Sequence, residues 1–184
     1  MSKLYTGRGD DGTTGLFYGG RVPKDDPRPE AFGAVDEAQA AIGLARAAAE
    51  RGGELDRMLI GLEHDLYVLM AELATAPDNR HKLTEGQTSV GPSMVEHLET
   101  VTDDIGGRFE FPTEFVVPGQ NELAARLDVA RTVARRAERR AVPVASDDSQ
   151  VVPYLNRLSS VLWTLARWVE ADDTLPSRTA MEDR

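Results

Sequence analysis

Leucine and alanine recur at intervals of three or four residues along most of the chain. In residues 55–73 the apolar positions lie four, three, four, three and four residues apart, which places them on one face of a helix. The same spacing covers residues 155–169, directly after Pro153, and proline is tolerated in a first helical turn. Residues 31–49, 94–105 and 123–141 show this pattern as well. These helices and their mostly short connections predict an all-α fold, a five-helix bundle.

Glycine and proline mark the ends of the predicted helices. Stops are expected at residues 52–53, at residues 106–107 and before Pro143. The segments outside the helices are not typical of flexible interdomain linkers; they are residues 1–28, 77–92 and 107–118. We therefore expect one domain over residues 1–184. It consists of an N-terminal arm (1–28), a helical bundle (29–171) and a flexible tail (172–184), which is polar and contains Pro176.

The charge balance restricts the classes of partner. The chain of 184 residues has 21 Lys and Arg against 31 Asp and Glu, a formal net charge of -10, which argues against nucleic acid and anionic membranes as partners. It has no cysteine, which excludes a disulfide framework, a thiolate metal site and a cysteine nucleophile. The N-terminus has no apolar run of signal-peptide length, and no run in the chain approaches a membrane span. We expect a cytoplasmic protein.

The N-terminal arm is rich in glycine and hydroxyl groups. Residues 5–15 read YTGRGDDGTTG, and Lys24 follows shortly afterwards. Glycines let backbone N–H groups approach an anion, so this stretch could cradle a triphosphate. It contains a literal G-x-G-x-x-G, but that pattern has a mechanical meaning only between a strand and a helix of a βαβ unit, which is not visible here. A mobile arm explains the stretch equally well.

Positive charge is concentrated in residues 131–140, which contain five arginines and one acid, Glu138. At 100° per residue, Arg131, Arg135 and Glu138 fall within roughly a 60° arc. Guanidinium groups one turn apart repel each other unless an anion or a carboxylate lies between them, and phosphate fits the guanidinium fork. Arg136 and Arg140 point away from this arc, and for them we favour surface pairing with neighbouring acids. The arc itself is a candidate polyphosphate site.

The positions of three further side chains allow predictions about their surroundings. Asp36 lies beside the apolar face of the first helix, where an acid is costly unless it is paired, and an arginine is its natural complement. Asn156 lies near the start of the last helix and could hold a nucleotide or cap the helix; both interpretations stay open. Phe115, judged by residue type alone, is expected to be an ordinary core residue.

Six segments in this order resemble the PduO-type ATP:corrinoid adenosyltransferases across nearly the whole chain. They are YTGRGDDGTTG (5–15), RVPKDDPR (21–28), GAVDE (33–37), FVVPG (115–119), VARTVARRAERR (129–140) and NRLS (156–159). The resemblance implies a homotrimer of five-helix bundles with active sites between subunits, which bind ATP with Mg²⁺ and a reduced corrinoid. It implies that the cobalt of cob(I)alamin attacks the 5′ carbon of ATP and that triphosphate leaves. An electron-donating reductase and an adenosylcobalamin-dependent acceptor enzyme are the further partners that it implies.

The resemblance also implies roles for individual residues. The positions that match the family's ATP-binding residues are Thr6, Gly7, Arg8, Gly9, Thr14, Gly15, Lys24, Arg135, Arg136, Ala137, Glu138, Arg139 and Asn156. Arg131 and Asp36 match a pair whose salt bridge crosses the subunit interface beside the active site. Phe115 matches an aromatic residue that displaces the lower nucleotide ligand of the corrinoid. Arg131, Arg135, Asp36 and Phe115 are therefore the implied catalytic set.

The chain departs from the family pattern at four positions. Asp11 replaces a common lysine, Gln120 a glycine, Asp128 a histidine and Ser160 an aspartate. Asp128 and Ser160 are expected on the corrinoid side of the site. Altered residues there are what a non-catalytic carrier of ATP or corrinoid would have, and this is the alternative function. A ferritin-like di-metal bundle is disfavoured, because none of the histidines has a glutamate three positions before it.

Overall fold

The computed structural model describes residues 5–178, apart from the side chain of Asp172. It is mostly helical, as predicted. The α-helices are α1 (Pro27–Ala48), α2 (Glu54–Leu73), α3 (Pro92–Gly106), α4 (Glu122–Ala141) and α5 (Val151–Glu170). Short 3-10 segments cover Pro77–Lys82 and Ala171–Asp173, and two strands, β1 (Thr13–Gly15) and β2 (Arg21–Pro23), precede α1.

Side-chain caps set the starts of α1 and α4. The Asp26 carboxylate accepts a hydrogen bond from the backbone N–H of Arg28 at 2.9 Å, and Pro27 opens the first turn of α1. Asn121 caps α4 in the same way by accepting from the N–H of Ala124 at 2.8 Å. These caps satisfy backbone donors that a helix start leaves without a partner.

Helix α4 lies between α1 and α5, while α2 packs on α1 and α3 packs on α5. The buried apolar residues of α4 are alanines and one leucine, Leu127, so its neighbours can approach its backbone closely. Larger side chains of α2 and α5, such as Leu66 and Leu162, fill the rest of the core. The polar remainder of α4 is therefore left for surfaces and grooves.

The N-terminal arm contains an antiparallel hairpin, a feature that the all-α prediction did not include. Thr14 of β1 lies opposite Val22 of β2. Within the loop that joins the two strands, the backbone N–H of Phe17 donates to the carbonyl oxygen of Ala74 at 2.9 Å, just after α2 ends. The fold class is corrected to a helical protein with one small sheet. Strands of three residues are too short to give an alternating pattern in the sequence.

The first part of the predicted tail pairs with the segment before α4. The N–H of Val117 donates to the carbonyl of Leu175 at 2.9 Å, and the N–H of Ser177 donates to the carbonyl of Phe115 at 2.7 Å. Leu175 and Ser177 thus have backbone partners, and the rest of the predicted tail, residues 179–184, lies outside the described residues. Across residues 5–178, none of the helices has the length and apolar character needed to span a membrane.

Candidate active site

Two adjoining cavities are lined in part by side chains of α4 and α5. The larger has a volume of about 700 Å³ and is lined by residues that include Phe115, Asp128 and Arg167. The smaller has a volume of about 330 Å³ and is lined by residues that include Arg135 and Ser160. Arg131 and Trp163 line both cavities. The structure therefore brings the predicted residues Arg131, Arg135 and Phe115 to two cavities that share lining residues, together called the α4 groove.

Phe115 is 90% exposed, so the prediction that it is a core residue is wrong. Its segment is held by backbone hydrogen bonds to residues 175–177, which fix the main chain and leave the ring outside the core. Phe115 lines the larger cavity, so a molecule bound there would contact its ring. Phe115 is the most exposed of the large hydrophobic residues in the described part of the chain.

Charged side chains form a connected set beneath the larger cavity. The Asp128 carboxylate accepts from Nε of Arg131 at 3.0 Å and from Nη2 of Arg167 at 2.6 Å. Arg167 is only 1% exposed, and its Nη2 also donates to Glu170 at 3.2 Å. Burial raises the pKa of Glu170; the nearby Arg167 lowers it and Asp128 raises it further. Asp128 therefore borders the Phe115 cavity, whereas Ser160 borders the cavity that contains Arg135. The expectation that both lie on the corrinoid side stays a prediction.

Asp36 and Arg131 do not meet within one chain. Asp36 is exposed on α1, so the argument that its position beside the apolar face requires a partner is wrong for the single chain. Arg131 already has an intrahelical partner in Asp128. The subunit-crossing pair remains a prediction.

The arginines at the C-terminal end of α4 differ in whether they have an ion-pair partner. Arg136 pairs with Glu37, and Arg140 pairs with Glu30 at 3.0 Å, which confirms surface pairing for both. Arg135 and Arg139 are exposed and have no ion pair among residues 5–178. Their charge is available to an anion.

Three other predicted nucleotide residues lie on α4 and α5. Glu138 accepts a hydrogen bond from Nδ2 of Asn156 at 3.1 Å. Asn156 is the sixth residue of α5, whose cap position is Gln150, so the capping interpretation of Asn156 is wrong. Ala137 is fully buried in the core, which encloses its side chain away from any ligand.

The predicted ATP residues of the arm form a compact loop around the hairpin. A side chain at Gly9 would bring its Cβ to within 3.2 Å of Nζ of Lys24, and Gly7 has a positive φ of 68°, so both positions suit glycine. Asp11 accepts from the N–H and hydroxyl of Thr13 at 2.9 and 2.8 Å, and these bonds, with the nearby Arg21, lower the pKa of Asp11. The acid that replaces a common lysine thus stabilises the loop.

The arm and the α4 groove remain separate within one chain. In the described part of the chain, the other predicted arm positions, Thr6, Arg8, Thr14 and Gly15, lie in the same loop and hairpin. The arm is tied to the end of α2, where Arg28 also donates to the carbonyl of Thr75 at 3.1 Å. Over residues 5–178, no hydrogen bond or ion pair links the arm to the arginines of α4.

Sequence reasoning missed Trp163 and Arg167. The apolar spacing of α5 identified one face of the helix, whereas α5 is buried over most of its circumference. The sequence did offer one signal for Arg167, namely an arginine between the apolar positions Leu165 and Val169. An arginine is found in a protein core only when its charge is paired. The Arg167 guanidinium lies 5.8 Å from the centre of the Trp163 ring.

Comparison with known proteins places this architecture in a defined group. Residues 4–169 match the family model described as cobalamin adenosyltransferase. The corrinoid adenosyltransferase PduO of Citrobacter freundii is 38% identical over 177 residues, which cover 92% of this chain; this chain spans about half (50%) of that relative's length. The corrinoid adenosyltransferase of Bacillus subtilis is 39% identical over 176 residues, covering 92% of this chain and 87% of the relative.

A solved structure agrees with the sequence comparison. It is a variant of the PduO-type ATP:corrinoid adenosyltransferase from Lactobacillus reuteri complexed with cobalamin and ATP. It superposes with a TM-score of 0.81 at 29% identity and covers 94% of both chains. This chain belongs to the cobalamin adenosyltransferase family.

Proposed function

We propose that this protein transfers the 5′-deoxyadenosyl group of ATP to the cobalt of cob(I)alamin, forming adenosylcobalamin and releasing triphosphate. The electron pair of Co(I) forms the new bond to C5′, while the C5′–O bond breaks and its electrons leave with the triphosphate. The observation that carries this proposal is the α4 groove, in which Arg131 and Trp163 line both the Arg135 cavity and the Phe115 cavity. A cationic end and an aromatic end suit the two reactants.

The protein's contribution is positioning and charge neutralisation, because cobalt itself is the nucleophile. Arg135 and Arg139 would hold the leaving triphosphate, since both are exposed without an ion pair among residues 5–178. Arg136 would join them by exchanging Glu37 for phosphate. The hydrogen-bonded pair of Glu138 and Asn156 would hold the nucleoside, and Glu138 can accept from a ribose hydroxyl.

The N-terminal arm would close the ATP site. Its backbone N–H groups and hydroxyls suit phosphate oxygens, and Lys24 supplies charge next to Gly9. The residues assigned to this role are Thr6, Gly7, Arg8, Gly9, Thr14, Gly15 and Lys24. Because arm and groove do not meet within one chain, the arm would serve the groove of a neighbouring subunit.

This geometry favours a homotrimer of five-helix bundles, with the domain limits given above and with Asp36 of one subunit paired to Arg131 of the next. Asp36 is exposed, and the terminal nitrogens of Arg131 have no hydrogen-bond partner among residues 5–178. Several large apolar side chains are also exposed, as an interface would require; they include Leu44, Ile60, Tyr67 and Val129. A cytoplasmic location, an electron-donating reductase and an adenosylcobalamin-dependent acceptor enzyme complete the proposal.

Mg²⁺ would arrive with ATP. Within the described residues no cluster of three or more histidine and carboxylate side chains could hold a metal ion. We therefore propose that Mg²⁺ is bound mainly through substrate phosphates and water, which is its common mode in ATP sites. The ion would supply further neutralisation of the phosphate charge.

Phe115 would contact the corrin ring and exclude the lower axial ligand of cobalt. Its ring is exposed next to the larger cavity, where a planar macrocycle could cover it. Loss of that ligand leaves four-coordinate Co(II), which is easier to reduce to the nucleophilic Co(I) state.

The test is an anaerobic assay with chemically reduced cobalamin and MgATP, in which the light-sensitive cobalt–carbon bond is followed by absorbance. Wild-type protein should form adenosylcobalamin. Arg135→Ala should lower kcat by about 100-fold or more, the scale of losing one preorganised charge-stabilising donor. Arg140→Ala is the matched control, since Arg140 on the same helix pairs with Glu30 at the surface, and its rate should stay near wild type. Equal rates for both variants would refute the assigned triphosphate site.

A non-catalytic carrier of ATP or corrinoid is the second candidate. The observation in its favour is Asp128, a departure from the family pattern that borders the Phe115 cavity. A carrier would retain ATP or corrinoid in a filtration measurement but would form no cobalt–carbon bond in the anaerobic assay.

A further inference from the structure

Four charged side chains form an unbroken path from the core to the groove. Glu170 contacts Arg167, with Oε2 of Glu170 3.0 Å from Nε of Arg167. Arg167 donates to Asp128 at 2.6 Å, and Asp128 accepts from Arg131 at 3.0 Å. The path begins at the end of α5 and ends where the two cavities join. Acidic and basic side chains alternate along it.

Three of the four side chains are removed from water. Arg167 is 1% exposed, Glu170 2% and Asp128 6%, whereas the side chain of Arg131 is 27% exposed. Buried ion pairs recover little more than the cost of removing their charges from water, so they are a weak source of stability. A buried network whose exposed end is one arginine in a groove is better explained by the placement of that arginine.

The contact between Asp128 and Arg131 fixes only one edge of the guanidinium group. Asp128 engages Nε, and the terminal nitrogens of Arg131 have no hydrogen-bond partner among residues 5–178. The second carboxylate oxygen of Asp128 is held by Arg167, so Asp128 cannot rotate without breaking a buried bond. A neutral histidine, common at this position in the family that the sequence resembles, has a single acceptor nitrogen and could not bridge two arginines in this way.

We propose that Asp128, clamped by Arg167, is a positioning residue that holds the Arg131 guanidinium at the junction of the two cavities. This inference rests on the proposed function, in which the corrinoid occupies the Phe115 side and the polyphosphate lies on the Arg135 side. Because Arg131 borders both cavities, its placement affects the transfer step more than the binding of either reactant alone.

The test begins with Asp128→Asn in the full-length protein. The amide has the same shape but only one acceptor oxygen, so it cannot hold both arginines as the carboxylate does. We expect kcat for adenosylcobalamin formation to fall about tenfold or more, the scale of one lost hydrogen bond to a charged group. KM for ATP and KM for cob(I)alamin should each change less than about threefold. Rates are divided by the ATP-binding stoichiometry from calorimetry, so that misfolded protein does not count.

A double-mutant cycle identifies the residue through which Asp128 acts. If Asp128 works by placing Arg131, the double variant Asp128→Asn/Arg131→Met should be no slower than Arg131→Met alone. Additive losses would overturn the proposal. An unchanged kcat in Asp128→Asn, or a lower melting temperature with unchanged normalised kcat, would overturn it as well.

Two further variants complete the design. Glu122→Gln removes an exposed acid from the same helix, one that pairs with Arg126 at 2.5 Å, and its kcat should match wild type. If Asp128→Asn does not fold, the same double-mutant cycle is measured with Asp128→Glu, which keeps the charge but displaces the carboxylate by one methylene. Wild-type protein that forms no adenosylcobalamin would refute the proposed function and this inference together. An active wild type with an unaffected Asp128 variant would refute the positioning role alone.

Discussion

Replacing Phe115 with alanine should separate stability from activity. Full burial of a phenylalanine side chain stabilises a protein by about 1.5–3 kcal/mol. Phe115 is 90% exposed, so only about one tenth of that contribution, roughly 0.2–0.3 kcal/mol, is lost on truncation. The proposed contact with the corrinoid would disappear completely. We therefore expect nearly unchanged stability with a large loss of turnover.

Urea unfolding measured by circular dichroism gives the stability, and cobalt–carbon bond formation gives the activity. Phe111→Ala is the comparison, because Phe111 is only 49% exposed and stacks on Phe109 and Trp163 with ring centres 5.0 and 5.7 Å apart. It should lose about 1–3 kcal/mol from partial burial and aromatic stacking. A Phe115→Ala variant destabilised by as much as Phe111→Ala, or one with full activity when Co(II) is supplied with a reductant, would refute this reasoning.

Three more predictions concern charged residues. Glu72 is buried and accepts hydrogen bonds from the N–H of Val90 and the hydroxyl of Ser149, both at 2.7 Å. Glu72→Gln keeps only one acceptor oxygen, so it should lose one of these bonds and lower the free energy of unfolding by about 1–3 kcal/mol in urea titration; no change would show that the lost bond does not contribute. The pKa of Glu170 is raised from 4.5 by burial, so the folded state keeps a proton that the unfolded state has lost, and stability should fall as pH rises from 4.5 through the raised pKa. Glu170→Gln should remove that fall, and an identical pH dependence would contradict the assignment. Asp36→Asn should weaken both assembly and activity, measured by light scattering and turnover, while a fully active trimer would exclude the subunit-crossing pair.

The helices were predictable because their apolar spacing is local information. The spacing that begins at Leu55 corresponds to α2, which begins at Glu54 and ends at Leu73. The different faces of α4 were also predictable, because helix geometry alone placed Arg136 and Arg140 on the side where they pair with neighbouring acids. Regular elements of this length repeat their pattern often enough to be recognised.

The hairpin and the exposure of Phe115 were not predictable in this way. The strands have three residues each, and Asp11 and Arg21 stabilise the loop through contacts that spacing does not reveal. Residue type predicts burial for any phenylalanine, and only the pairing of residues 115–117 with residues 175–177 holds Phe115 outside. That pairing joins segments about sixty positions apart in the chain, beyond the reach of local patterns.

The buried charge network shows an intermediate case. The contact of Asp128 with Arg131 follows from their separation of three positions on a helix. The contact of Asp128 with Arg167 spans 39 positions and depends on how α4 and α5 align. Sequence reasoning therefore identified Asp128 as unusual and located it near the groove, but its connection to the core required the structure.

The fate of the phosphates tests the central claim most directly. ATP labelled with carbon-14 in the adenosine and with phosphorus-32 in the γ phosphate would be incubated anaerobically with the protein and cob(I)alamin, and the products separated in the dark. The account predicts one inorganic triphosphate, carrying the phosphorus label, for each corrinoid that gains the carbon label. Release of ADP and phosphate or of AMP and pyrophosphate, with no carbon label on the corrinoid, would contradict it.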